Sequence, residues 1–253
     1  MVSELVKSIK VKQNTSADCY IKHDLALLEA PKVVRIKFSK TGSLQYISHL
    51  DLHRLLNRAL VRAGMPIWYT KGFNPHAKMV FALPLPVGVE SVCEYLDVKI
   101  DKELPTDDIK ELLNRQLTDE LQVIEVYDPK TKFADICSAD YRILLDSVSA
   151  SREMAGKINA FFSVSPIMMT KKTKSGEKEI DISPLIHSLK AELCDDGRIK
   201  INANLTAGAE SLSPEFIMAA LRKNGVLPEV PLTDESYSIM RLRVLTADGK
   251  EFR

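Results

Sequence analysis

At 253 residues the chain is long enough for one large domain or for two of about 100 residues each. Hydrophobic residues make up 45% and charged residues 27%, a mix that builds a sizeable core without disulfide or metal staples. No run of about 18 apolar residues occurs, which excludes a membrane-spanning helix, and the net charge of +1 conceals an uneven distribution along the chain.

Residues 1–31 have weak periodicity and end at Pro31, so they read as an N-terminal extension with a short helix through His23 to Ala30. Met1 to Lys12 lacks the apolar core of a signal peptide, and a cytoplasmic protein is expected. Val33 to Phe38 alternates apolar and polar residues as a strand does, and Ser39 to Gly42 reads as a turn. Leu44 to Ile47 either continues the strand or leads into a helix. Ser48 with Asp51 resembles a capping box, and Leu52, Leu55, Leu56, Ala59, Leu60 and Ala63 recur at helical spacing until Gly64 and Pro66 stop the helix. A short strand is expected over Ile67 to Thr70, a loop over Lys71 to His76, and a further strand over Met79 to Leu83. Pro84 to Gly88 reads as a rigid crossing, Glu94 to Ile100 as a strand, Thr106 to Thr118 as a helix capped by Thr106, and Leu121 to Tyr127 as a strand.

That order is β-α-β-β-α-β with one extra strand around Met79, the split βαβ pattern. The second half repeats it: a strand over Tyr141 to Val148, a helix over Ser151 to Phe162, and hairpins over Ile167 to Ile182 and Leu189 to Thr206. A helix capped by Ser213, with Pro214 at its first position, then runs to Lys223, and Tyr237 to Thr246 closes as a strand. The expected architecture is α+β: two tandem ferredoxin-like domains with mainly antiparallel sheets, over 32–130 and 138–253, divided near Asp128 to Ser138.

The cysteines Cys19, Cys93, Cys137 and Cys194 are scattered, as small buried hydrophobes in a reducing compartment are. No two could supply a metal from one tight turn, so neither a metal site nor a cofactor is assigned. Lys32 to Lys78 holds nine basic residues against the single acid Asp51, a segment charge of +8. Met79 to Asp128 holds twelve acids against four bases, a charge of −8. Either a positive face meets phosphates or an acidic partner, or the two segments neutralise each other internally.

The most distinctive segments are Ser48-His49-Leu50-Asp51, then Gly72-Phe73-Asn74-Pro75-His76, then Pro84-Leu85-Pro86-Val87-Gly88. In this order they resemble the radical-SAM-linked protein family, whose members occur beside, or fused behind, a radical SAM enzyme with a cobalamin-binding-like region. The resemblance is strong over Val33 to Asp128 and weak beyond; Cys93 and the long N-terminal arm depart from it. It implies a radical SAM enzyme as partner and no established activity of the family's own. The chain itself lacks the three-cysteine loop that a radical SAM cluster needs, so it is not the radical enzyme.

Arg54, Arg58 and Arg62 at i, i+4 and i+8 form one stripe along a helix, and guanidinium groups grip phosphate oxygens bidentately. With Lys71 and Lys78 they could track a nucleic-acid backbone; otherwise they are a solvated face, or pair with acids such as Glu94 and Asp97. His49 and His53 at i, i+4, with His76 as a third, have a spacing that suits a metal, and His49 and His76 are weak candidates for acid–base catalysis. The bland alternative is that His49 bonds the helix turn and His53 is exposed. The loop around Gly72, Asn74 and His76 could form an anion nest or touch a base edge; alternatively it is a structural turn with Phe73 plugging the core. Lys171 to Lys174 reads as a solvated hairpin tip, or as a basic tip that touches RNA.

The favoured reading is an accessory of a radical SAM enzyme that binds tRNA or rRNA through Arg54, Arg58, Arg62, Lys71, Asn74, His76 and Lys78, without catalysis of its own. Alternatives are an RNA-processing enzyme using His49 and His76, and a module that docks on the radical enzyme through the acidic stretch.

Overall fold

The computed structural model describes residues 25–173, 176–227 and 235–253. Most of the expected N-terminal extension, with Cys19 and Lys174, lies outside them. The fold is α+β, built from four helices, an eight-stranded sheet and a separate two-stranded hairpin.

The first strand, β1 (Leu27–Lys40), is longer than its alternating stretch predicts and takes in Leu27 to Ala30, where a helix is expected. A 3-10 turn over Gly42–Tyr46 leads to α1 (His49–Arg62). The Ser48 hydroxyl accepts from the Asp51 backbone N–H at 3.1 Å and donates to its carboxylate at 2.8 Å, so the cap is reciprocal through the hydroxyl. Gly64, at φ +73°, ends the helix as expected, with the Met65 N–H returning to the Leu60 carbonyl at 3.0 Å. Leu52, Leu56 and Leu60 form the buried stripe, each stabilising the fold by about 1.5–3 kcal/mol.

The strand expected over Ile67 to Thr70 makes only isolated bridges, and the strand around Met79, expected as the extra one, takes its place. The remaining elements of the first half are β2 (Met79–Phe81), β3 (Val89–Lys102), α2 (Thr106–Asn114) and β4 (Val123–Tyr127). The N-cap of α2 is Pro105, with no side-chain cap bond, rather than Thr106. The second half comprises β5 (Ile136–Ser147), α3 (Arg152–Phe162), β6 (Met168–Thr173), β7 (Gly176–Asp181), β8 (Ile186–Leu193), β9 (Ile199–Thr206), α4 (Glu215–Lys223) and β10 (Glu235–Thr246). Ser151 caps α3 as expected, accepting from the Met154 N–H at 3.1 Å. Pro214, not Ser213, is the N-cap of α4.

The sheet runs β4-β1-β3-β10-β5-β9-β8, with β2 paired beside it on β3. Where two separate sheets are expected, the strands join into one. The joint is β3, whose 14 residues are too many for the three-residue β2 to cover. β2 pairs with Leu96 to Val98, and β10 takes the open edge at Val89 to Ser91 in the one parallel pairing among the described strands.

Paired residues share a face, so the register places the helices. Phe38 and Lys40 of β1 stand opposite Glu94 and Ser91 of β3; the unequal advance marks a β-bulge. Ser91 stands opposite Arg241, and Arg241 opposite Tyr141. Phe38 belongs to the core under α1 and α2, and Tyr141 to the core under α3 and α4, so all four helices cover one face. On the other face Arg35 is ion-paired to Asp97 at 2.7 Å, and its guanidinium lies 4.3 Å from the Phe252 ring centroid and 4.9 Å from that of Phe133. The C-terminal residues thus cover the back of the first half.

Of the described cysteines only Cys93 is fully buried; Cys137 and Cys194 are half-buried. Their burial follows strand position, which spacing alone does not show. No described helix is long and apolar enough to cross a membrane.

Candidate nucleic-acid interface

The helical period sends α1 side chains in three directions. Arg54, Arg58 and Arg62 point away from the buried leucine stripe and line a groove of about 510 Å³ with Asp51, Leu55 and the segment Gln116 to Thr118 after α2. Arg62 donates to the Gln116 carbonyl at 2.9 Å, which ties the groove's far end to α2. Arg54 pairs with Asp51 at 3.1 Å on an exposed helix turn. The Ser48 hydroxyl first, and Arg54 second, hold the Asp51 carboxyl below its ordinary value, so it stays charged and offsets Arg54.

The acidic segment neutralises only part of the basic one. Lys32 pairs with Asp128 at 2.9 Å and Arg35 with Asp97, while Glu94 pairs with Arg241 of the second half. Neither Glu94 nor Asp97 reaches the arginine stripe. Arg58, Lys71 and Lys78 form no ion pair among the described residues.

The loop over 71–75 is exposed throughout, at the tip of an irregular hairpin whose stem pairs Tyr69 with Ala77. Gly72 has φ +140°, a conformation that disfavours a side chain. Phe73 is fully exposed, so it plugs no core. His76 Nδ1 lies 3.3 Å from the Asn74 carbonyl oxygen and 3.1 Å from Thr70 Oγ1, which itself accepts from the His76 backbone N–H. The Asn74 carbonyl can only accept from Nδ1, whereas the Thr70 hydroxyl can either accept from it or donate to it.

His49 and His53 lie on the flank of α1 away from the arginines. Their rings pack on Phe81, with centroids 4.9 and 6.0 Å from it. His76 is five residues from Phe81 along extended chain, a separation of roughly 16 Å. The three histidines therefore do not converge, and no described group of three His, Cys, Asp or Glu side chains could hold a metal. The loop and the stripe are likewise divided: the stripe opens toward the end of α2, the loop rises from the β2 side.

Sequence reasoning missed the exposed apolar residues in and beside the motifs. Tyr46, Leu50 and Val87 are more than half exposed, and the Gly88 N–H bonds the Gln45 carbonyl at 2.9 Å. Leu50 carries the signal that could have found them, because it falls outside the helical spacing of the buried leucines. Phe81, the ring that seats both histidines, gives no such signal.

A helix with an arginine-lined groove, set on one face of a mixed and mostly antiparallel sheet, defines the class: an α+β protein with a basic surface cleft. Residues 33–214 match the family described as "Uncharacterized protein conserved in bacteria (DUF2344)", and the chain belongs to that family. Among curated proteins no sequence relative is found. Among solved structures, a chain of "Crystal Structure of a Cbf5-Nop10-Gar1 Complex" is 10% identical with a TM-score of 0.42, over 83% of this chain and 48% of that one, so the match spans about half of that chain's length. An unknown protein from Galdieria sulphuraria is 8% identical with a TM-score of 0.26, over 84% of this chain and 99% of that one. Likeness at these scores carries no inference about this chain.

Proposed function

We propose that this protein binds RNA through the arginine groove of α1 and serves as an accessory, without catalysis of its own, to a radical SAM enzyme that modifies tRNA or rRNA in the cytoplasm. The observation that carries the reading is the cleft itself: three arginines at one-turn spacing line an open groove, and only Asp51 offsets them by an ion pair among the described residues. Phosphates one nucleotide apart on a single strand can bridge such a row, each gripped by a guanidinium fork. Lys71, Asn74, His76 and Lys78 form a second, separate contact, where the exposed Phe73 ring can stack on an unpaired base. The radical SAM partner rests on the motif resemblance. The order β4-β1-β3-β2 in the first half and β10-β5-β9-β8 in the second supports reading each as a split βαβ unit.

The test is binding of labelled tRNA and rRNA fragments across a salt series, with an Arg54→Ala/Arg58→Ala/Arg62→Ala variant alongside. Affinity should fall steeply with salt. The variant's log–log slope should be shallower by about 0.7 for each single-strand phosphate that it no longer neutralises. No binding by the wild-type protein at low salt would remove the proposal. It would favour docking on a protein partner, for which the exposed Phe73, Tyr69 and Val80 around the hairpin, rather than the acidic stretch, offer a contact.

A further inference from the structure

We propose that the seam between the two halves holds a binding site for a small organic carboxylate, seated on Arg241. The site is a cavity of about 270 Å³, walled on one side by Leu83 to Pro86 and on the other by the chain entering α4. Arg241 and Tyr141 come from the strands at its base, and the exposed Ser211 and Pro84 stand at its mouth.

Arg241 is 1% exposed. Its Nη2 donates to the Leu83 carbonyl at 2.8 Å and to the Glu94 carboxylate. Its Nε and Nη1 are buried and make no hydrogen bond of normal geometry among the described residues, the Tyr141 phenol lying close to the guanidinium. A guanidinium has five N–H donors and cannot shed its charge, so donors left without acceptors at a cavity wall can receive an incoming one. Tyr141 lines the same cavity, and burial pushes its phenol up, so it stays protonated and can donate to the same ligand.

Charge and shape narrow the ligand. Glu94 already offsets Arg241, which leaves little positive charge for a dianion. A monoanion with a planar pair of oxygens matches the guanidinium. Leu85, Pro86, Leu212 and Phe216 give an apolar lining for a short hydrocarbon body. At about 30 Å³ per water the space suits a molecule of under roughly ten heavy atoms. Because β10 meets β3 beside Arg241, an occupant would touch both halves at their joint.

The test titrates the full chain with butyrate, benzoate and inorganic phosphate, read by calorimetry and by the thermal unfolding midpoint. A carboxylate should bind saturably and raise the midpoint. Tyr141→Phe should weaken that binding roughly three- to tenfold, the worth of one hydrogen bond. Ser211→Trp, a change at the exposed mouth, should abolish binding while the midpoint without ligand stays that of the wild type. The proposal is overturned if neither carboxylate binds, if phosphate alone binds, or if binding survives Ser211→Trp.

Discussion

The two halves solve the same topological problem with different edge strands. In the second half β8 is eight residues long and pairs along nearly all of β9. In the first half β2 has three residues, and with its flanks and the Pro66 to Trp68 segment it covers β3 only from Tyr95 to Asp101, leaving the start of that edge open. An uncovered edge invites pairing, and β10 supplies it. The short β2 thus leaves room for the strands of both halves to join in one sheet. The joint is costly in another way: it buries Arg241, Glu94 and Lys40 where the second half's own strand faces bury Ile, Leu and Ala.

That contrast can be broken most sharply at the seam. Arg241→Met leaves the Glu94 carboxylate buried without its partner and should destabilise the protein by about 3–5 kcal/mol in urea unfolding. Adding Glu94→Met should restore much of the loss, since the uncompensated charge is then gone. If the single variant is as stable as the wild type, the seam does not hold the halves together.

The next largest effect is pH-dependent and compares thiols. Burial pushes Cys93 from 9.0 to about 11, with the nearby Glu94 adding to it. Between those values the unfolded chain loses the thiol proton while the folded one keeps it, so stability falls as pH rises from 9 to 11, by up to about 2–3 kcal/mol. Lys40, lowered by burial, acts with the opposite sign up to its ordinary value, so the comparison is wild type against Cys93→Ala. The variant should lose the decline. At neutral pH, mass mapping of maleimide labelling should find Cys137 and Cys194 modified before Cys93.

Smaller effects test whether the halves resemble each other locally. Ser48 and Ser151 cap α1 and α3 through the same bond, so replacing either by Ala should cost about 1 kcal/mol. Smallest are the groove arginines: each Arg→Ala change at 54 or 58 should shift stability by less than about 0.5 kcal/mol while weakening RNA binding. A large loss of stability there would mark the stripe as structural.

Much of this was legible locally. The α1 stripe, its serine cap and its glycine stop follow from the 3.6-residue period and from backbone sterics, which involve only neighbours in the chain. The exposed turn at Gly72 follows for the same reason. The position of Phe73 did not, because whether an aromatic ring in a loop finds a core depends on what the loop packs against. Likewise the arginines could be placed on one helix face, but that Gln116 to Thr118 forms the opposite wall of their groove is a contact across more than fifty residues.

By itself the sequence determined the α+β class, the boundaries of α1 to α4 within a few residues, the absence of a three-cysteine cluster and the basic stripe, since these depend on composition, period and spacing. Only the tertiary structure decided that two sheets merge, that His49 and His53 turn to Phe81 and away from His76, and that Arg241 is left with open donors. Each of these is a choice of partner between residues far apart in the chain. Such choices depend on strand register and edge length, which local pattern does not encode.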